Sequence, residues 1–308
     1  MNRLQRAALL MVIAPLLVAT AGTAVASDRG ASRAPAVQGR ATGDVVSTDC
    51  TSAAVFRATE FPRDPRVDNI WFPLRPGTNF VWSGTVVENS VTHRHQIVST
   101  VTDLSKTIDG VHALILFERD LDNGQLQESE LAFMAQDEQG RVWNLGEYPE
   151  EYADGKLEGA PSTWIAGIAR ARAGVGMLAK PRVGTTAYLQ GFAPKVGFRD
   201  CAQVVRTEPK VCVPVQCYHH VLVIREWAPQ EPEGGYQLKY YAPGVGNIKV
   251  GAIGGDSPEV LRLTKLTRLN TIDLSTIRKQ VLAQDRRGYR VSPTVYGRTG
   301  APTRLRCP

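Results

Sequence analysis

The chain has 308 residues, 43% of them hydrophobic and 21% charged, with 36 basic side chains against 30 acidic ones. That ordinary globular balance excludes a wholly disordered, collagen-like or coiled-coil protein, and the length suits one large domain or two small ones. The formal net charge of +6 is modest, and no nucleic-acid-binding motif accompanies it.

Residues 1–26 read as an address. Arg3 and Arg6 precede the apolar run Ala7–Ala21, and Ala24-Val25-Ala26 supplies a small-x-small cleavage site, which predicts a secretory signal removed before Ser27. No later stretch is long and apolar enough for a transmembrane helix. The mature chain is therefore expected to be secreted or to lie in the extracytoplasmic cell envelope. Five cysteines in an exported chain predict disulfides. With a turn placed at Glu208-Pro209, the expected pairs are Cys201–Cys217 and Cys50–Cys307, leaving Cys212 free.

Residues 27–60 lack periodicity and read as a flexible leader, and a β-rich domain is expected over 61–270. Trp71-Phe72-Pro73-Leu74 looks like a core anchor. Alternating strands follow: Asn79–Val87 with Phe80, Trp82 and Val86 on one face, His93–Leu104, Val111–Asp120, Gln125–Gln136 and Val142–Glu147. Asp109-Gly110 and Asn123-Gly124 between them are two-residue hairpin signals. Ala113–Phe117 is apolar on both faces, which predicts a covered strand. Ser162–Leu178 reads as a short helix or a packed loop. Strands resume at Thr185–Phe192, Phe198–Thr207, Val211–Glu226, Gly235–Tyr241, Asn247–Ile253 and Val260–Leu269. Tyr236, Leu238 and Tyr240 share a face that looks like core. A helix capped by Ser275, with Ile277, Val281 and Leu282 as its stripe and an end at Gly288, opens a basic tail over 271–308. So many antiparallel strands joined by short turns must curl, so the expected fold is mainly β: a meander forming an open or closed barrel-like sheet with a short C-terminal helix.

Two segments carry resemblances. Lys239-Tyr240-Tyr241-Ala242-Pro243-Gly244-Val245-Gly246 resembles a strand-turn-strand of bacterial envelope proteins related to lipoprotein carriers. That likeness implies a curled sheet around an apolar cavity. Trp71–Gly84, Phe133–Glu147 and Lys180–Asp200 resemble an uncharacterised family of exported bacterial β-rich proteins, over about residues 62–270.

The chemistry-bearing residues are scattered. His93 and His95 alternate on a strand and project together, and with His219 or His220 and a carboxylate such as Glu128 or Glu147 they would suit zinc. Asp120-x-Asp122-Asn123-Gly124 fails the calcium-loop spacing, because Leu131 stands where a bidentate Glu belongs, and reads as a hairpin turn. Glu128 with Glu130, and Glu147 with Glu150 and Glu151, read as solvated faces. No nucleophile elbow, phosphate loop or other cofactor motif is present, so no cofactor is expected. Trp82, Trp143, Tyr236 and Tyr240 are candidates to line a ligand pocket. The resulting expectation is an exported binding protein holding a lipid or other apolar small molecule in the concave face of the sheet. The alternatives are a secreted hydrolase or metal-dependent enzyme using His93, His95 and carboxylates, and an envelope protein whose basic tail meets an anionic polymer.

Overall fold

A computed structural model describes residues 49–305. The expected signal segment, residues 27–48 of the leader, and Cys307 lie outside the described residues.

Fifteen strands and one long helix make up the fold: β1 Thr78–Glu88, β2 Val91–Ile108, β3 Val111–Asp122, β4 Gln125–Gln136, β5 Val142–Ala153, β6 Lys156–Gly159, β7 Trp164–Ile165, β8 Arg172–Met177, β9 Tyr188–Ala193, β10 Phe198–Cys212, β11 Cys217–Trp227, β12 Tyr236–Ala242, β13 Gly246–Ile253, β14 Glu259–Arg268, α1 Thr271–Val291 and β15 Thr303–Arg304. Twelve strands form a ring in the order β1-β14-β13-β12-β11-β10-β9-β8-β5-β4-β3-β2, and β2 pairs back onto β1. The meander is therefore a closed antiparallel barrel, and closure removes the exposed edges an open sheet would leave. The turns at Asp109-Gly110 and Asn123-Gly124 hold the positive φ their residue types tolerate. At Gly84 the backbone of β14 passes so close that any Cβ would collide with the Val260 carbonyl.

Cross-strand register separates inside from outside. On β1 to β4 the inward set includes Phe80, Trp82, Ile97, Ser99, Leu116, Glu118, Asp120, Glu128, Glu130 and Ala132. The outer faces of β2–β5 are covered by α1, which explains why Ala113–Phe117 is buried on both sides. The helix is held by polar contacts. Lys106 Nζ lies 2.6 Å from Asp285 Oδ1, Gln284 exchanges hydrogen bonds with Ser129, and Arg278 and Arg287 pair with Asp103 and Glu150. The expected basic tail is thus partly neutralised, because Arg304 also reaches Asp103.

Several expectations are corrected. The helix cap lies five residues before the expected Ser275: Asn270 Oδ1 accepts from the N–H groups of Ile272 and Asp273. It also runs through Gly288, whose missing Cβ admits the Tyr296 ring. Asn270→Ala is expected to cost about 1 kcal/mol, read as a lower thermal midpoint, because two helix-start donors lose their acceptor. Residues 162–178 hold β7 and β8 rather than a helix.

The disulfides are Cys50–Cys201 and Cys212–Cys217, not Cys201–Cys217 with Cys50–Cys307. The cause is the turn. β10 continues past Pro209 to Cys212, so the hairpin reverses over residues 213–216 and sets Cys212 opposite Cys217 and Cys201 opposite Trp227. Cys50 then ties the first described residues to β10, and Thr51 bridges to Tyr188, so residues 49–60 pack on the barrel rather than forming leader.

Candidate metal centre

The barrel interior has two ends of different chemistry. Near the β12–β13 turn, Phe80, Trp82, Leu116, Ala132 and Met134 line an apolar cavity of about 40 Å³, closed by Phe72, Pro73 and Leu74. Near the β3–β4 turn the interior is acidic.

His95 is the centre of that acidic end. It sits on β2 directly opposite Asp122 of β3, and it is 4% exposed. Its Nδ1 lies 2.7 Å from Asp122 Oδ1 and 3.2 Å from Asp120 Oδ1, and its Nε2 lies 2.7 Å from Glu259 Oε1. Asp120 and Asp122 point inward together because they alternate on β3, while Glu259 enters from β14, which is separated from β2 only by β1. Glu259 is itself oriented by a hydrogen bond from Gln237 Nε2 at 2.8 Å. Burial alone would lower the His95 pKa. Hydrogen bonds to Asp122 and Glu259 and the charges of Asp120 and Glu259 outweigh it and push the pKa up to about 10. His95 is therefore an imidazolium that neutralises part of a carboxylate cage.

The His95, Asp120 and Asp122 ligand atoms all lie within 4.8 Å of one another. One imidazole nitrogen with two carboxylates suits a divalent first-row ion such as Zn²⁺ or Mn²⁺. With an ion on Nδ1, Nε2–H would donate to Glu259, which is the carboxylate–histidine–metal relay that fixes tautomer and ring orientation.

A belt of further carboxyls continues along β3–β5. Glu128 stands opposite Asp120, Glu130 opposite Glu118, and Glu151 opposite Glu128. Glu128, Glu130, Glu147, Glu150 and Glu151 are all buried, so the expected solvated faces are corrected: four of them point into the barrel and Glu150 lies under α1. Burial, with the charges of Glu147, Glu128 and Glu118, pushes Glu130 well above the ordinary carboxyl range. Burial raises Glu147 to about 7 against hydrogen bonds from Asn144 and Trp164, and raises Glu151 to about 7.

The other expected site residues do not converge. His93 shares the His95 face but lies at the barrel mouth, where its Nδ1 is 3.0 Å from the Asn123 amide nitrogen. His219 is exposed on the β10–β11 hairpin opposite Lys210. Among the pocket candidates, Trp82 faces inward, lines the apolar cavity and donates its indole N–H to the Asn247 carbonyl. Trp143 faces outward against Phe56 and Phe61, with its N–H on Asp137. Tyr240 and Tyr236 also lie on the outer face of β12, beneath Arg206 and Arg225, while Gln237, Lys239 and Tyr241 point inward. Sequence reasoning missed Asp120, Asp122 and Glu259 as partners of His95. The alternation of Asp120 and Asp122 was a usable signal; the β1–β14 closure that delivers Glu259 was not.

No protein-family model and no curated protein matches the chain. Among solved structures, a predicted exported protein with a YmcC-like fold from Bacteroides fragilis is 12% identical, aligned over 65% of this chain and 100% of its own, with a TM-score of 0.35. A predicted lipoprotein from Parabacteroides distasonis is 12% identical over 65% of this chain and 99% of its own, with a TM-score of 0.31.

Proposed function

We propose that this protein is an exported binding protein whose closed β-barrel holds a divalent transition-metal ion on His95, Asp120 and Asp122, with Glu259 orienting the imidazole. The observation that carries this reading is the convergence of one imidazole nitrogen and two carboxylates on a single buried point. Export is supported by the signal-like residues 1–26 and by two disulfides, which persist in oxidising compartments. A metal ion relieves the same carboxylate crowding that the His95 proton relieves, so ion and proton compete for Nδ1.

The apolar-ligand reading is supported by one feature, the Phe80–Trp82 cavity. At about 40 Å³ it has room for a water-sized guest, whereas drug-sized ligands occupy roughly 300–1,000 Å³. A lipid would need the Phe72–Leu74 cover to open. Contact with an anionic polymer would fall to the exposed Lys279, Arg286, Arg290 and Arg298, since Arg278, Arg287 and Arg304 are engaged internally.

Equilibrium dialysis against Zn²⁺ and Mn²⁺, after chelator treatment and at pH 7.5, tests the proposal. One bound ion per chain in the wild type, reduced at least about tenfold in affinity by Asp122→Asn, is the expected result. Affinity unchanged by Asp122→Asn, or no bound ion, would refute it.

A further inference from the structure

A second cavity, of about 30 Å³, opens at the acidic end of the barrel, and its wall includes Asp200, Glu226, Glu231, Tyr236 and Glu259. Two of these carboxyls are already engaged. Glu226 lies 2.8 Å from Lys239 Nζ and accepts from Gln190, and Glu259 holds His95 and Gln237. The other two differ. Asp200 is 3% exposed, and neither of its carboxyl oxygens has a hydrogen-bond partner; one buried oxygen of Glu231, which is 8% exposed, has none either. A buried carboxyl without a donor is costly, and native structures keep such groups where something else satisfies them. Burial and the neighbouring charges of Glu147, Glu226 and Glu231 push the Asp200 pKa well up, which is crowding that a cation would relieve.

The rim is built for close approach. Gly235 of the β11–β12 loop and Gly255 of the β13–β14 loop meet backbone to backbone, both at positive φ, and a Cβ on either would strike the other loop. The cavity thus has fixed walls and room for one small head group.

We propose that this cavity is a cation site, separate from His95, that takes the ammonium head of a primary alkylamine on Asp200 and Glu231. Carboxyls are the only charged groups in its wall, and no imidazole, amine or thiol is present there. Asp200 and Glu231 do not belong to any three-ligand cluster within metal-bonding reach; among the described residues only His95, Asp120 and Asp122 form one. An ammonium reaches further, because each N–H···O⁻ bond spans roughly 2.8 Å between heavy atoms and three donors diverge from one nitrogen. The hydrocarbon stem would leave past Tyr236.

Isothermal titration of the exported protein with n-butylammonium chloride at pH 8 tests this, with tetramethylammonium and Ca²⁺ as comparison cations. Saturable one-to-one binding of n-butylammonium, weakened about tenfold or more by Asp200→Asn and by Glu231→Gln, is the expected result, since each change removes a charge-assisted hydrogen bond. Tetramethylammonium, which has no N–H, should not bind. Equal binding of tetramethylammonium, preferential binding of Ca²⁺, or no saturable heat up to about 10 mM amine would each overturn the proposal. If Asp200→Asn does not fold, Glu231→Gln at the rim decides the outcome. Zinc binding is measured separately, so amine binding without zinc binding still supports this site and refutes only the metal reading.

Discussion

Replacing His95 with alanine is expected to lower stability by about 3–5 kcal/mol and to abolish metal binding in the same step. The imidazolium touches three carboxylates, Asp120, Asp122 and Glu259, within 3.2 Å. Its loss leaves those charges buried at the acidic end of the barrel, where unpaired charge is most costly. For a domain of this size the penalty corresponds to a fall of roughly 6–20 °C in thermal midpoint. Glu259→Gln separates the two effects. The amide keeps a hydrogen-bonding group beside Nε2, so the stability loss is smaller, while metal affinity falls about 10–100-fold because the imidazole loses its orienting carboxylate. A His95→Ala protein that melts within about 1 °C of the wild type would contradict the role of His95 as the cation of the cage.

Stability is expected to fall as pH rises from about 5 to about 8. Glu147 and Glu151 keep their protons in the folded barrel up to about pH 7, whereas in the unfolded chain they titrate near 4.5. Between those values the folded state binds more protons than the unfolded one. Their contribution is therefore fully present below about pH 4.5 and is lost as pH rises through about 7. For Glu147, 2% exposed, the difference corresponds to about 3 kcal/mol. Asp103 acts in the opposite sense: its burial is outweighed by Arg278 and Arg304, which hold its carboxyl below the ordinary value, so its contribution is lost in stronger acid. The maximum should fall near pH 5. Thermal melts of the wild type and Glu147→Gln across pH 4–9 check this. The variant should show a shallower decline above pH 5, because its amide cannot ionise, and a wild-type profile that rises toward pH 8 would contradict a protonated carboxyl belt.

The strands and their hairpin turns were legible because alternation and the Asp109-Gly110 and Asn123-Gly124 pairs are local signals. Closure was half legible: many short-turned strands must curl, but only the β1–β2 and β1–β14 registers decide that the ring is complete. The carboxyls misled for a physical reason. Acidic residues are almost never fully buried unless partnered, so Glu128, Glu130 and Glu147 read as solvent-facing. Inside this barrel they stand beside other carboxyls across the strands, an arrangement that no window of sequence encodes. Tyr236 and Tyr240 misled in the other direction. Their alternation marks one face correctly, but that face is the outer one, covered by arginine stacking, while Lys239 and Tyr241 point to the centre. The disulfides failed at a single point, the assumption that Pro209 ends β10.

Anomalous diffraction at the zinc edge from crystals grown with Zn²⁺ near pH 7.5 tests the central claim most directly. One strong peak is expected inside the barrel, about 2.0–2.2 Å from His95 Nδ1 and from an oxygen of each of Asp120 and Asp122, with Nε2 still directed at Glu259. A barrel interior without an anomalous peak, with zinc only at surface histidines such as His219 and His220, would show that the His95 cage is closed by its proton and holds no metal.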